Sequence, residues 1–165
     1  MDDFDFLIRE MTENDLPAVL AIEKDLFTDP WSEGMFREDL VSNTAFPFVA
    51  EAAGQIIGYA ILLIILDDGH LTNIAVGRPY QRKSVAKRIV TFILQDALAR
   101  GLAQVILEVR PANTAAIALY KSFGFDVISR RKKYYRNPVE DCLVMRRRLS
   151  TKDGSNPAKN EYGLV

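Results

Sequence analysis

Hydrophobic positions change their period twice along this chain. At the start, Phe4–Arg9 alternates and predicts a short strand, whereas Leu16, Val19, Leu20, Ile22 and Leu26 recur three and four apart and predict a helix. Thr12 reads as that helix's N-cap, with Asp15 three positions on in place of the usual Glu and Pro17 in the early turns. Asp29-Pro30 ends it, and Ser32 with Phe36 and Leu40 predicts a second helix. The pattern then shortens to strands, Phe46–Ala52 and Gln55–Leu66, joined at Ala53-Gly54. Asp67-Asp68-Gly69 reads as a hairpin turn leading into a third strand, His70–Val76.

Beyond Val76 the helical period returns. Val85, Ile89, Ile93 and Ala97, flanked by Ala86, Val90, Leu94 and Leu98, give one long helix with a broad apolar face, closed by Arg100-Gly101. Val105–Val109 is an apolar strand carrying a single carboxylate, Glu108, and Asn113–Ser122 is a shorter helix closed by Gly124. Strands near Phe125–Ser129 and Cys142–Leu149 complete the series. This order predicts an α/β (α+β) fold, a mixed sheet with helices on both faces, in a single domain over residues 1–149. Ser150–Val165, rich in Lys, Asn, Gly and Ser, reads as a mobile tail.

Composition narrows the function classes. The 165 residues are 48% apolar and 26% charged, as in a soluble globular domain. A formal net charge of -1 argues against nucleic acid as the main partner, since phosphate binding needs a basic excess. The local runs Arg130–Lys133 and Arg146–Arg148 read as solvated strand ends, with RNA docking as the alternative. Cys142 is the only cysteine and His70 the only histidine, which rules out an internal disulfide and weighs against a His/Cys metal cluster. Cys142 reads as an inert core thiol and His70 as a strand-edge residue rather than a base. The start Met1-Asp2-Asp3 is acidic where a signal peptide is basic, and Ile56–Leu66 is too short to span a bilayer. The expectation is a cytoplasmic protein with no membrane partner.

Two places carry candidate chemistry. Between the third strand and the long helix lies Val76-Gly77-Arg78-Pro79-Tyr80-Gln81-Arg82-Lys83-Ser84-Val85-Ala86-Lys87. A tight strand-to-helix turn aims backbone N–H groups out of the helix start, and those donors with the helix dipole form an anion site. Arg82, Lys83 and Lys87 add positive charge; a plain helix start with solvated lysines is the simpler reading. No GxxxxGK[ST] is present, so a nucleotide P-loop is unsupported. The second place is Glu108 with Tyr120. A carboxylate on a buried strand has its pKa raised by desolvation, which suits a general base, although a lone strand Glu is also commonly solvent-facing or paired. Tyr120 is a phenol able to donate to a leaving group, or equally a core residue with a bonded hydroxyl.

Asn73-Ile74-Ala75-Val76 followed by Gln81-Arg82-Lys83-Ser84-Val85-Ala86 resembles the strand and pyrophosphate loop of the GNAT superfamily of N-acetyltransferases, whose loop pattern is Q/R-x-x-G-x-G/A. Ser84 stands where the first glycine is usual. Its Cβ is costly if the backbone there needs positive φ, while its hydroxyl is a further donor to phosphate. Leu107-Glu108-Val109-Arg110, Asn113-Thr114-Ala115-Ala116-Ile117-Ala118-Leu119-Tyr120 and Gly124-Phe125 resemble the bacterial ribosomal-protein-alanine N-acetyltransferase branch. Pro30-Trp31-Ser32, Tyr134-Tyr135 and Glu140-Asp141 extend the likeness over nearly the whole chain except the tail.

The resemblance implies a mostly antiparallel central sheet of about seven strands and an enzyme that moves acetyl from acetyl-CoA to a protein N-terminal α-amine, without a metal. The acceptor it implies is a ribosomal protein beginning with alanine, and the transfer is direct, in a ternary complex. Glu108 and Tyr120 are then base and acid. Ile74, Ala75, Val76, Arg82, Lys83, Ser84, Val85, Ala86, Lys87 and Asn113 meet the cofactor, and Trp31, Tyr134 and Tyr135 border the acceptor. The rivals are an acetyltransferase for a small-molecule amine or lysine side chain, a non-catalytic acyl-CoA-binding module and a ribosome-binding protein without chemistry.

Overall fold

The structure, a computed structural model, describes residues 4–149, so the expected tail lies outside the described residues. Seven strands form: β1 (Leu7–Glu10), β2 (Ala45–Ala52), β3 (Gln55–Ile65), β4 (Asp68–Val76), β5 (Gln104–Val109), β6 (Asp126–Arg136) and β7 (Val139–Arg148). Four α-helices accompany them: α1 (Leu16–Leu26), α2 (Glu33–Val41), α3 (Val85–Ala99) and α4 (Thr114–Ser122). The strands pair in the order β1-β2-β3-β4-β5-β7-β6. β1–β2, β2–β3, β5–β7 and β6–β7 are antiparallel and β4–β5 is parallel, so the expected mixed, mostly antiparallel sheet is what forms.

Two compact units divide the chain, one from residues up to 63 with 72–92 and the other from residues 64–71 with 93 onward. The first is organised by the α1 stripe. Leu16 and Val19 are buried with Met11, Phe36, Val49, Tyr59, Ile61 and Ala75, and Leu20, Ile22, Leu26, Trp31 and Leu40 pack against them. Each such aliphatic or aromatic burial contributes about 1.5–3 kcal/mol. At Gly58 on β3 a Cβ would stand 2.7 Å from the Ala75 carbonyl oxygen of β4, so only glycine fits. In the second unit, alternate residues Val105, Leu107 and Val109 of β5 are buried, as are Phe123, Phe125, Val144 and Met145.

Several boundaries differ from expectation. β1 begins at Leu7 rather than Phe4. Thr12 caps a 3-10 turn, Glu13–Asp15, that leads straight into α1. Asp15 accepts from the Thr12 N–H at 2.8 Å and is also clasped by both terminal nitrogens of Arg9, which hold its carboxyl below the usual carboxylate range. The β3–β4 turn falls at Leu66 and Asp67, with Leu66 at φ +58, so Asp68 and Gly69 already belong to the strand and pair with Gln104 and Val105. His70 lies on an inner strand opposite Ile106, not at an edge. β6 runs to Arg136, far past Ser129: the charged run 130–133 is strand, masked in the sequence by residues of low β propensity.

Candidate active site

The turn from β4 to α3 lies in the first unit and is braced from both sides. The Gly77 N–H donates to the Ile57 carbonyl at 2.8 Å, and a 3-10 turn, Arg78–Tyr80, follows. The Gln81 side chain reaches back to the Val76 carbonyl at 3.0 Å, which accounts for a glutamine at the head of the loop. Arg82 and Ser84 both have positive φ, +61 and +60. Backbone that alternates in hand this way curls its N–H groups toward one point and makes an anion-binding concavity. The first α3 bond runs from the Arg88 N–H to the Ser84 carbonyl at 3.1 Å, so the N–H groups of Val85, Ala86 and Lys87 lack an intrahelical acceptor. Ser84 therefore does occupy a left-handed position, at a cost of about 1–2 kcal/mol for a residue with a Cβ. Lys83 is drawn aside: its ammonium lies 5.2 Å from the Phe4 ring centroid and 5.9 Å from that of Tyr80.

The β4–β5 ladder bears on the same strand. It joins Asp68–Leu71 to Gln104–Leu107 and stops there. Ile74, Ala75 and Val76 lie beyond its last pair.

A centre that sequence reasoning missed also lies in the first unit. Glu23, on α1, is buried and accepts three hydrogen bonds: from the Tyr59 hydroxyl, from Asn73 Nδ2 at 3.2 Å and from the Trp31 N–H at 2.9 Å. Burial and Glu23 together push the Tyr59 phenol well above its ordinary value. Trp31 is thereby fixed by its backbone, with its ring 5.4 Å from that of Phe36, so it is a partly buried packing residue on this side. A signal for Glu23 was present, since it stands four residues after Val19 and seven after Leu16 and so lies on the apolar stripe.

In the second unit the structure places Glu108 differently from expectation. β5 is buried on either side of it, yet the Glu108 side chain is 36% exposed and its Oε1 accepts from Arg131 at 3.0 Å. The burial on which its assignment as a base leaned is not met; what remains is an accessible carboxylate held by an arginine. Tyr120 is 6% exposed on α4, its ring 5.8 Å from Phe125, and burial pushes its phenol up to about 12. Its hydroxyl makes no hydrogen bond among the described residues, unlike the bonded core phenol of the alternative reading. Asn113 is the α4 N-cap, its Oδ1 accepting from the Ala116 N–H at 3.2 Å, which leaves its amide nitrogen available.

Tyr134 and Tyr135 part company. Tyr134 is exposed, and the neighbouring Glu108 carboxylate raises its phenol above the usual value. Tyr135 is half-buried beneath the Arg110 guanidinium, 4.0 Å from its ring centroid, and its hydroxyl donates to Cys142 Sγ at 3.9 Å. Cys142 is buried, as expected of a core thiol, and desolvation raises its pKa. Among the described residues no cluster of His, Cys, Asp and Glu has the geometry to hold a metal ion, and no helix is long and apolar enough to cross a membrane.

The fourth strand of this mixed seven-stranded sheet runs into the turn before α3, and residues 16–125 match the acetyltransferase (GNAT) family. The chain belongs to that family. It is 35% identical over 140 residues to the [ribosomal protein bS18]-alanine N-acetyltransferase of Escherichia coli K12, covering 84% of this chain and 94% of that protein. The crystal structure of the ribosomal-protein-S18-alanine N-acetyltransferase from Escherichia coli superposes with a TM-score of 0.84 at 32% identity, over 92% of this chain and 99% of that one. Arabidopsis thaliana NAA60, solved in complex with acetyl-CoA, shares the fold at 17% identity with a TM-score of 0.80, over 88% of this chain and 99% of that one.

Proposed function

We propose that this protein transfers acetyl from acetyl-CoA to the N-terminal α-amine of a ribosomal protein that begins with alanine. The observation that carries the reading is the turn before α3, where positive φ at Arg82 and Ser84 and the N–H groups of residues 85–87, without helical acceptors, suit a diphosphate. The likeness to the Escherichia coli enzyme, over nearly its full length, supports the acceptor. A cytoplasmic address goes with that acceptor.

Each unit supplies its own part of the chemistry. In the first, the backbone N–H groups of Ser84, Val85, Ala86 and Lys87 and the charge of Arg82 hold the pyrophosphate, and Ile74–Val76 offer donors to the thioester oxygen. Trp31 lines the acceptor side. In the second, Glu108 takes the proton of the attacking amine through water, Asn113 contacts the cofactor with its free amide, and Tyr134 and Tyr135 border the acceptor. The amine nitrogen bonds to the thioester carbon as the C–S bond breaks. Tyr120, with its phenol pushed up to about 12, donates a hydrogen bond to the departing sulfur. A thiol titrates near about 8.5, so complete transfer from that phenol is uphill by about 5 kcal/mol. Tyr120 therefore stabilises the developing thiolate rather than fully protonating it.

The test is mass spectrometry of peptides incubated with the protein and acetyl-CoA. A peptide beginning with alanine gains one acetyl group at its α-amine, and its N-terminally blocked, lysine-containing counterpart gains none. Acetylation of the lysine or of small amines alone transfers the reading to the rival acceptors, and CoA binding without transfer to any amine reduces the protein to a binding module.

A further inference from the structure

The base assigned above does not stand free. Arg131 Nη1 donates to Glu108 Oε1 at 3.0 Å, and the same guanidinium lies 5.6 Å from the Tyr134 ring centroid. The two residues sit on strands that flank β7: Glu108 on β5 opposite Val144, and Arg131 on β6 opposite Cys142. The β6–β7 register breaks between Arg131 and Tyr135, with Lys133 at φ +51 and its N–H bonded to Asp141. Such a bulge re-aims the side chains beside it. Arg130, one position earlier, is taken by Asp141 at 2.8 Å, so the charges are sorted: Arg130 to the hairpin, Arg131 to Glu108.

An acceptor α-amine has a pKa of about 7.7–8.0 and arrives at neutral pH mostly as a cation. It seeks the carboxylate that Arg131 already holds. We propose that Arg131 is a positioning residue that keeps the Glu108 carboxylate oriented until the acceptor's ammonium replaces it, so that acceptor binding is a cation exchange at Glu108. The inference rests on the reading of Glu108 as the base. The exchange is cheap, because Arg131 is 53% exposed and half-exposed ion pairs are weak. It also imposes selectivity: a neutral acceptor cannot displace Arg131, and a cationic N-terminus can.

The test is steady-state kinetics of the full chain with an alanine-initiated peptide, comparing wild type, Arg131→Gln and Arg131→Lys. Glutamine keeps a hydrogen-bond donor for Glu108 and removes the competing charge. The acceptor KM falls about two- to fivefold in Arg131→Gln, with kcat within twofold and the acetyl-CoA KM unchanged. The acceptor KM of the Gln variant rises with added salt, because an uncompensated charge pair now forms, while the wild type, exchanging one cation for another, is less salt-sensitive. Arg131→Lys restores the wild-type pattern. A raised acceptor KM in Arg131→Gln, a loss confined to kcat, or no change overturns the proposal while wild-type turnover leaves the assigned function standing. Absence of wild-type turnover on every cationic peptide sinks both.

Discussion

Removing the Glu23 carboxylate strips the acceptor from three donors in the first unit. Its two oxygens satisfy the Tyr59 hydroxyl, Asn73 Nδ2 and the Trp31 N–H, and the first two of these donors come from buried residues. In Glu23→Ala those two lose their acceptor inside the core, at about 1–3 kcal/mol each. The Trp31 N–H, on a partly exposed residue, regains water and adds little. The two together cost about 2–6 kcal/mol, and the space left by the shortened side chain adds to that. Glu23→Gln keeps the volume and one acceptor oxygen but turns an NH2 toward a donor, for a loss of about 1–2 kcal/mol. Urea unfolding at constant slope reads both, the Ala variant showing the larger drop in midpoint. A loss below about 1 kcal/mol for Glu23→Ala would refute the reasoning, since the orphaned donors would then be reaching water.

Tyr120→Phe removes a hydroxyl that makes no hydrogen bond within the described fold, so stability should hold while kcat falls about 10²–10³-fold, with acetyl-CoA binding by calorimetry unchanged. The same phenol sets an alkaline limit. Its folded pKa is raised, so its contribution is complete below the ordinary value near 10 and is lost as pH rises toward about 12, at about 1.4 kcal/mol per unit; unfolding midpoints measured across that range should slope less steeply in Tyr120→Phe. Ser84→Gly relieves the left-handed backbone at φ +60 but gives back about 0.5–1 kcal/mol in unfolded-chain entropy, so the thermal midpoint should move little. If the hydroxyl donates to phosphate, acetyl-CoA binds more weakly in that variant; equal or tighter binding shows that the backbone alone holds the ligand.

Most of the fold was legible because its elements are strongly periodic. The α1 stripe and the α3 face of Val85, Ile89, Ile93 and Ala97 formed where the pattern put them, and the helices expected from Ser32 and Asn113 each start one residue later, with those two residues as their N-caps. β6 extends beyond its sequence signal because residues 130–133 are Arg and Lys, which signal solvent rather than strand, and pairing with β7 overrides that weak local preference. The site was legible as residue identity and not as environment. Spacing and resemblance picked out Glu108, but whether a strand carboxylate is buried depends on which face its neighbours cover, and the partner that claims it, Arg131, is 23 residues away. Glu23 was passed over for the opposite reason: it sat inside an apolar stripe, where a lone carboxylate needed the distant donors Tyr59 and Asn73 to explain it.

The most direct measurement is kcat for wild type and Glu108→Gln on an alanine-initiated peptide, from about pH 6 to about pH 10. An acceptor amine titrating at about 7.7–8.0 needs help below that range and none above it. The Gln variant should therefore be slower by about 10²–10⁴-fold at the acid end, with the deficit shrinking steadily as pH rises. A deficit that stays constant across the range, or no deficit at all, would show that Glu108 does not take the proton.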